Sequence, residues 1–232
     1  MKKKLVVLTG AGISAESGIQ TFRDANGLWE GHDVMEVASP QGWTKDKELV
    51  LDFYNKRRKQ ALTSIPNAGH LALVELEKNL DITIITQNVD NLHEKAGSSS
   101  VIHLHGELFQ SRSTLDESLV YEMEGWELNL GDKCEKGSQL RPNIVWFGEM
   151  VPMMEVAMDI TIVADFFMVV GTSLAVYPAA GLINYVKADT PKFIIDPNIP
   201  VMDKQENLFL YPEKATTGVA HVASVLRNKY LD

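Results

Sequence analysis

Two histidines stand two residues apart in the segment VIHLHGE, at positions 103 and 105. Residues i and i+2 of a strand face the same side, so His103 and His105 could bind one metal ion, with His93 and a carboxylate as further ligands. A histidine in a strand is, however, more often a hydrogen-bonded core residue than a ligand. Taken alone, the pair leaves a metal-dependent hydrolase and a structural role both open.

Three polar residues, Gln87, Asn88 and Asp90, lie in TQNVDN directly after the apolar run DITIIT. That run is short, apolar and β-branched, which is typical of a buried strand. Open α/β sheets bind ligands at the carboxyl ends of their strands, so these side chains are candidates for a ligand site. Asp90 could at the same time cap a helix over NLHEKAG.

A glycine-rich turn, Gly10 to Ala15, follows the strand pattern KLVVLT. The first glycine permits a tight turn, the second lets the backbone approach a pyrophosphate, and the small third residue lets a helix pack with its N–H groups facing the phosphates. A dehydrogenase would place a second strand ending in an acidic residue about 20 residues further on. Here that window reads FRDANGLWEGHDVMEV, which is loop-like. The turn therefore predicts a dinucleotide site but argues against hydride transfer.

The scaffold for these residues is predicted from apolar runs that alternate with helical patterns. The strand candidates are KLVVLT, DITIITQ, VIHLHG, NIVWFG, DFFMVVGT and KFIID. Helical patterns in NAGHLALVELEKN, PMMEVAMDITIVA and YPAAGLINYVKAD lie between them, and GVAHVASVLRNKYL reads as a terminal helix. This alternation predicts an α/β fold, a Rossmann-like parallel sheet with helices on both faces.

Two stretches interrupt the alternation, and we interpret them as insertions that form a small lobe. The single domain of residues 1–232 would then have a large lobe over 1–29, 67–106 and 142–232. The small lobe would comprise 30–66, which carries the helix pattern KDKELVLDFYNKRRKQAL, and the polar stretch 107–141.

The composition limits the function classes. A chain of 232 residues with 45% hydrophobic residues can bury one good-sized core. A net charge of -9 argues against broad nucleic-acid binding. The single cysteine, Cys134, excludes an internal disulfide, and no apolar run is long enough to span a bilayer. We expect a cytoplasmic protein that binds neither membrane nor nucleic acid and that is a monomer.

Taken together, the motifs GAGISAESGIQTFRDANGLW, TQNVDNLHEKAG, VIHLHGE, RPNIVWFGE, VGTSLAVYPAAG and IIDPN resemble those of the sirtuins, in the same order along nearly the whole chain. Sirtuins are NAD-dependent protein-lysine deacylases that consume NAD as a co-substrate. The resemblance implies that the acyl oxygen of a modified lysine attacks the NAD ribose, that nicotinamide leaves, and that free lysine and O-acyl-ADP-ribose are the products.

The resemblance also assigns roles to residues. It makes His105 the general base, a task that suits imidazole because its pKa lies near neutral pH. Asn88 and Gln87 would act beside it on the ribose and an ordered water, and Asp90 would bind the nicotinamide carboxamide. The implied NAD-binding residues are Gly10, Ala11, Gly12, Ile13, Ala15, Phe22, Arg23, Trp29, Gln87, Asn88, Val89, Asp90, Gly171, Thr172, Ser173, Asp196, Pro197, Asn198 and Ala215.

The acylated peptide would add as a strand between NIVWFGE and GTSLAVYP. The resemblance implies that Val145, Trp146 and Phe147 line a tunnel for the acyl-lysine and that Gly148, Glu149 and Val176 pair with the peptide backbone. Tyr54 and Arg57, at i and i+3 of one helix, resemble the pair found in the subgroup that removes succinyl and malonyl groups. A carboxylated acyl chain needs a cation and a hydrogen-bond donor, which Arg and Tyr supply. The small side chain of Ala15 could widen the tunnel, as in that subgroup. The alternative for Arg57 is that it belongs to a solvent-exposed basic helix face with no role in binding.

The small lobe departs from the family pattern. Sirtuins usually hold a structural zinc with four cysteines, whereas here Ser113 stands about where one is expected and Cys134 is the only cysteine. One thiolate cannot make a closed tetrahedral site, so we predict no zinc and expect packing by Leu119, Tyr121, Met123 and Trp126 instead. An ADP-ribosyltransferase or NAD glycohydrolase on the same scaffold, and a non-catalytic NAD-sensing module, remain alternative functions.

Overall fold

The computed structural model describes residues 2–20, 28–29, 31–199 and 206–230. The strands are β1 (Lys4–Thr9), β2 (Leu28–Trp29), β3 (His32–Asp33), β4 (Asp81–Thr86), β5 (Val101–His103), β6 (Gly106–Ser113), β7 (Val120–Glu122), β8 (Leu140–Ile144), β9 (Phe166–Val170), β10 (Lys192–Ile195) and β11 (Leu208–Tyr211). The α-helices are α1 (Val34–Val37), α2 (Pro40–Lys45), α3 (Lys47–Thr63), α4 (Ala68–Leu76), α5 (Leu92–Ala96), α6 (Met154–Ile162) and α7 (Ala215–Tyr230). Short 3-10 helices cover Ala11–Ile13, Ala15–Ser17 and Ala179–Tyr185.

Six strands form a parallel sheet in the order β11-β10-β9-β1-β4-β5, which confirms the predicted α/β class. Alternate residues of β1 point to opposite faces: Leu5 and Val7 pack with α4 and α7, and Val6 and Leu8 pack with α6 and the 3-10 helix Ala179–Tyr185. Because helices cover both faces, the central strands are largely apolar, and the polar residues of β1 lie at its two ends. Within the described ranges, no helix combines the length and the apolar character that crossing a bilayer requires.

A smaller antiparallel sheet has the order β7-β6-β8. Here the strand prediction was wrong in one respect, because NIVWFG was counted with the parallel sheet whereas β8 pairs with β6. An apolar run predicts a strand but does not identify the neighbouring strand with which it forms hydrogen bonds. That neighbour depends on where the folded chain places the strand. The four-residue strand β11, at one edge of the large sheet, was missed by the sequence reading.

A third hydrophobic cluster joins α3 to the small sheet, with Phe53 and Tyr54 on one side and Leu108, Leu128 and Trp146 among its partners. Residues of both predicted insertions, 30–66 and 107–141, contribute to it. This contact supports the proposal that the two insertions form one lobe.

Candidate active site

The carboxyl ends of β1 and β4 are tied together by side chains. The Thr9 hydroxyl donates to Thr86 Oγ1 at 2.8 Å, and the Asn88 N–H donates to the same oxygen at 3.0 Å. The Gln87 N–H donates to the Thr9 carbonyl at 2.9 Å. The segment after β4 therefore starts from a fixed position beside the glycine turn after β1.

The glycine turn packs on a second turn, the one that follows β9. The Gly12 N–H donates to the Gly171 carbonyl at 2.8 Å, and a Cβ on Gly12 would lie 2.6 Å from the Gly171 Cα. Gly171 itself has a φ of +64°. The two turns thus touch through backbone, which only glycine permits.

The segment after Gly10 differs from the prediction, because it forms two 3-10 helices, Ala11–Ile13 and Ala15–Ser17, rather than one α-helix. The second of them ends at Gly18, whose φ of 85° is left-handed and terminates helical geometry. Ala15 is exposed, Ile13 is buried, and Ala11 and Gly12 are half-buried. Within residues 11–20, therefore, no long helix supplies a run of aligned N–H groups.

A buried polar network links the glycine turn to the segment after β4. Asn88 Nδ2 donates to the Gly10 carbonyl at 3.2 Å and to Ser14 Oγ at 3.1 Å, and the Ser14 hydroxyl donates to Asp90 Oδ2 at 3.1 Å. Asp90 Oδ1 accepts the N–H of Leu92, the first residue of α5, although the N-cap residue of that helix is Asn91 rather than Asp90. Burial raises the pKa of the Asp90 carboxyl. Ser14 was not among the predicted site residues, although it lies inside the motif that pointed to them.

His103 and His105 each bind a backbone carbonyl of that segment through Nδ1: His103 binds Asn88 at 2.9 Å and His105 binds Gln87 at 3.0 Å. Because a carbonyl only accepts, both Nδ1 atoms carry a proton. His105 therefore presents an unprotonated Nε2 when neutral, and burial lowers its pKa. An imidazole in this state is suited to accept a proton.

The metal-site alternative gains no support from this arrangement. His93 is buried and its Nε2 bonds to Thr9 Oγ1 at 3.1 Å, while its ring packs against His70. Among the described residues, no three His, Cys, Asp or Glu side chains form a group that could hold a metal ion.

Most of the other predicted nucleotide-binding residues lie at the same edge of the sheet, whereas Trp29 packs with α3 in the small-lobe cluster. Gln87 Nε2 donates to Thr172 Oγ1 at 3.2 Å, and Asp196, which follows β10, accepts the Asn198 N–H at 2.8 Å. Ala215 begins α7 and is buried. Val89 and Ser173 are half-buried, and Pro197 is exposed. Phe22 and Arg23 lie outside the described residues.

These features fit an NAD molecule. The turns after β1, β9 and β10 meet at the carboxyl edge, where α/β sheets bind nucleotides. Asn88 Oδ1 accepts no hydrogen bond from any described residue, so a polar acceptor beside the buried Asp90 remains for a ligand. The site thus combines backbone-lined turns with polar groups aimed at one place.

Tyr54 and Arg57 both lie against Trp29, as expected for one helix face. The Arg57 guanidinium carbon is 4.3 Å from the centroid of the Trp29 ring, and the Tyr54 and Trp29 rings meet edge to face. Tyr54 is fully buried and Arg57 is 8% exposed. Arg57 therefore does not lie on a solvent-exposed basic helix face, which was the alternative hypothesis. Lys56, in contrast, is exposed and pairs with Asp52.

The segment after β8 carries most of the predicted substrate residues. The Val145 N–H donates to the His105 carbonyl at 2.9 Å, and the Phe147 N–H donates to the Ala38 carbonyl at 3.0 Å. Trp146 is buried, whereas Phe147, Gly148 and Val176 are exposed. This segment therefore connects the predicted base to the small lobe, and its residues Phe147 and Gly148 remain exposed to solvent.

Glu149 uses much of its bonding capacity within the protein. Its N–H donates to the Trp146 carbonyl, and its carboxylate accepts the Trp146 N–H at 2.8 Å and pairs with Arg141 at 2.6 Å. The Arg141 guanidinium carbon in turn lies 3.3 Å from the Trp146 ring centroid. At Glu149 only the carbonyl is left for strand-like pairing with a peptide, and the side chain orients Trp146.

The place where the family carries zinc does not fit that ion. Ser113 Oγ and Ser138 Oγ are 2.9 Å apart, and Cys134 Sγ lies 3.3 and 3.4 Å from them. The nearby Asp116 carboxylate pairs with Lys136 at 2.7 Å. One thiol and two neutral hydroxyls are a poor donor set for zinc, which prefers thiolate and imidazole. Of the four residues expected to pack there, Met123 joins the core cluster, while Leu119, Tyr121 and Trp126 are half-buried.

Comparisons with known proteins agree with this geometry. A profile of the Sir2 family matches residues 10–178. An NAD-dependent protein deacylase of Helicobacter pylori is 55% identical over 92% of this chain and 93% of its own. A Sir2 homologue crystallised with NAD is 41% identical, with a TM-score of 0.84 over 98% of this chain and 90% of its own. A Sir2 protein bound to acetylated peptide is 30% identical, with a TM-score of 0.76 over 98% of this chain and 93% of its own.

Proposed function

The chain belongs to the Sir2 family and is an NAD-dependent protein deacylase, and we propose that it removes succinyl and malonyl groups, and also acetyl groups, from protein lysines. The relatives' names leave the acyl group open. The observation that carries the proposal is a buried pair on one helix face: Arg57 stacks on Trp29, and Tyr54 binds Trp146.

NAD supplies the electrophile, a ribose carbon that takes the acyl oxygen as nicotinamide departs. We propose that His105 Nε2 accepts the proton of a ribose hydroxyl, since Nδ1 is committed to the Gln87 carbonyl. The resulting alkoxide can then attack the acyl carbon, and the lysine nitrogen leaves as the free amine. Water adds to the same carbon, and O-acyl-ADP-ribose is released. No protein nucleophile is required.

The Ser14, Asn88 and Asp90 network is proposed to hold the nicotinamide and ribose. Asn88 Nδ2 is committed to Gly10 and Ser14, which leaves its Oδ1 to accept a hydrogen bond from the ribose or from an ordered water. Asp90 would accept from the nicotinamide amide. The turns at Gly10–Gly12 and Gly171–Ser173 would contact the phosphates, and Asp196 and Asn198 would lie near the adenine ribose.

The acyl carboxylate is proposed to bind Arg57 and Tyr54. A cation that is 8% exposed and stacked on Trp29 lies in an environment of low dielectric, where its attraction to a carboxylate is strong. The Tyr54 oxygen accepts the Trp146 Nε1–H at 3.1 Å and donates to no described residue, so its own proton is available. Burial raises the pKa of Tyr54 to about 12, so the phenol keeps that proton at neutral pH.

The test compares two peptides that differ only in their acyl group, acetyl or succinyl. Arg57→Met should lower kcat/KM for the succinyl peptide at least about a hundredfold, since a buried charged pair is lost, and should leave the acetyl peptide within about threefold. Lys56→Met, one residue away on the exposed face, is the matched control and should leave both values unchanged. Equal losses on both peptides would contradict the assignment.

Product analysis by mass separates the other functions on this scaffold. O-acyl-ADP-ribose supports the deacylase, ADP-ribosyl protein or free ADP-ribose would indicate a transferase or glycohydrolase, and NAD binding without nicotinamide release would indicate a sensor. We further propose that the chain is a cytoplasmic monomer that binds acylated proteins rather than nucleic acid or membrane, in keeping with its net charge of -9.

A further inference from the structure

Two consecutive carbonyls in the segment after β4 are held by two histidines spaced two residues apart. His105 Nδ1–H donates to Gln87, and His103 Nδ1–H donates to Asn88. The two rings differ at the other nitrogen. His105 Nε2 bonds to no described residue, whereas His103 Nε2 lies 2.9 Å from Glu94 Oε1.

This difference sets the charge of His103. Both of its ring nitrogens face oxygens that only accept, so both carry protons when the Glu94 carboxylate is ionised. The hydrogen bond and the charge of Glu94 raise the pKa of His103 against the opposing effect of burial. The other ionisable groups around it are Glu107 on β6, Asp90 in the segment after β4, and the neighbouring His70 and His93.

We propose that His103, paired with Glu94, is a positioning residue that fixes Asn88 for the deacylation reaction. The inference rests on the proposed role of Asn88 and adds to it two residues that do not themselves touch the substrate. It also gives the second histidine of the pair a role that requires no metal.

The case depends on how completely Asn88 is held. Its N–H binds Thr86, its side-chain nitrogen binds Gly10 and Ser14, and its carbonyl binds His103. Only Oδ1 is left without a described partner, so the orientation of that one atom is set by the bonds to the others. Removing the His103 bond frees the peptide plane between Asn88 and Val89 and loosens the direction of Oδ1.

The experiment uses His103→Leu and His103→Asn in the full chain, with kinetics measured well below each variant's melting temperature. The Leu variant loses the donor, and kcat should fall about tenfold with KM for the acyl peptide changed less than about twofold. The Asn variant places an amide N–H near the position of Nδ1 and should recover kcat to within about threefold of wild type. His221→Leu removes an exposed histidine of α7 that pairs with Glu213, and it serves as the control with unchanged kcat.

Glu94→Gln tests the charge. In this variant the pKa of His103 should fall, as NMR titration of the ring would show. Neutral His103 can place its proton on either nitrogen, so the deficit in kcat relative to wild type should be larger at pH 8 than at pH 6.

A kcat of His103→Leu within about twofold of wild type, or no recovery in His103→Asn, would overturn the proposal. If the deficit in kcat of Glu94→Gln does not change with pH, Glu94 has no part in positioning Asn88. His105→Ala distinguishes these failures from failure of the proposed function: if that variant still deacylates, the assignment of the base is wrong, whatever His103 does.

Discussion

Trp146 donates its indole N–H to the Tyr54 hydroxyl at 3.1 Å, and both side chains are buried. Tyr54 belongs to α3 and Trp146 follows β8. This bond therefore joins a residue proposed to bind the acyl carboxylate to a residue proposed to line the acyl-lysine tunnel. The same indole ring packs on Arg141, which Glu149 holds. Residues proposed for acyl recognition and for peptide binding therefore belong to one buried cluster.

Replacing Tyr54 with Phe should separate acyl recognition from catalysis. The variant removes a donor to the acyl carboxylate, and kcat/KM for a succinyl peptide should fall about tenfold while the acetyl peptide stays within about twofold. The change also leaves the buried Trp146 N–H without an acceptor, which should lower the free energy of unfolding by about 1 to 3 kcal/mol. Steady-state kinetics and urea denaturation measure the two effects, and an equal loss on both peptides would show that the hydroxyl serves packing only.

The pH dependence of deacylation should follow His105. A base acts in its neutral form, and because burial lowers the pKa of His105, kcat/KM should reach half its maximum below the ordinary histidine value of about 6.5. The rate should then be flat through neutral pH. Profiles on saturating NAD with wild type and His105→Ala would check this, and a wild-type acid limb centred above the ordinary value would contradict the assignment.

Acid should destabilise the fold through His70 and His93. Burial lowers their pKa values to about 4 and about 3. Between about pH 6.5 and about pH 4, both side chains are neutral in the folded protein and protonated in the unfolded chain. The free energy of unfolding is therefore greatest above this window and decreases as the pH falls. The two protons together give a slope of about 2 to 3 kcal/mol per pH unit.

The variant His93→Gln checks the source of that slope. Glutamine can keep a donor for Thr9 Oγ1 but does not titrate, so the dependence of the unfolding free energy on pH should drop by about half. Urea denaturation at several pH values measures it. An unchanged slope would assign the acid sensitivity to other groups.

The small lobe should be insensitive to chelators. Cys134→Ser keeps a polar group between Ser113 and Ser138 and should change the unfolding free energy by less than about 1 kcal/mol, whereas Cys134→Val interrupts that set of bonds and should cost about 1 to 3 kcal/mol. The melting temperature of wild type should be the same with and without EDTA. Stoichiometric zinc in the purified protein would refute the prediction.

Much of the fold followed from periodicity. Short apolar β-branched runs with helical patterns between them predicted the parallel sheet, because strands covered on both faces are largely apolar. The partner of a strand is not written in such a run, and so β8 was placed in the wrong sheet. The 3-10 helices after Gly10 were likewise missed, since backbone contact with Gly171 rather than local propensity governs that turn.

The motifs of this chain and their order resemble those of the sirtuins, and that resemblance was enough to predict an NAD-consuming deacylase, whereas the residue types alone predicted only a dinucleotide site. Which nitrogen of His105 is free, how Ser14 connects Asn88 to Asp90, and why Glu149 faces inward all required the folded chain. Hydrogen bonds between residues far apart in sequence, such as Ser14 with Asp90, depend on distances that exist only after the sheet has assembled. The protonation states follow from those distances and from burial, and neither can be read from a residue's neighbours in the chain.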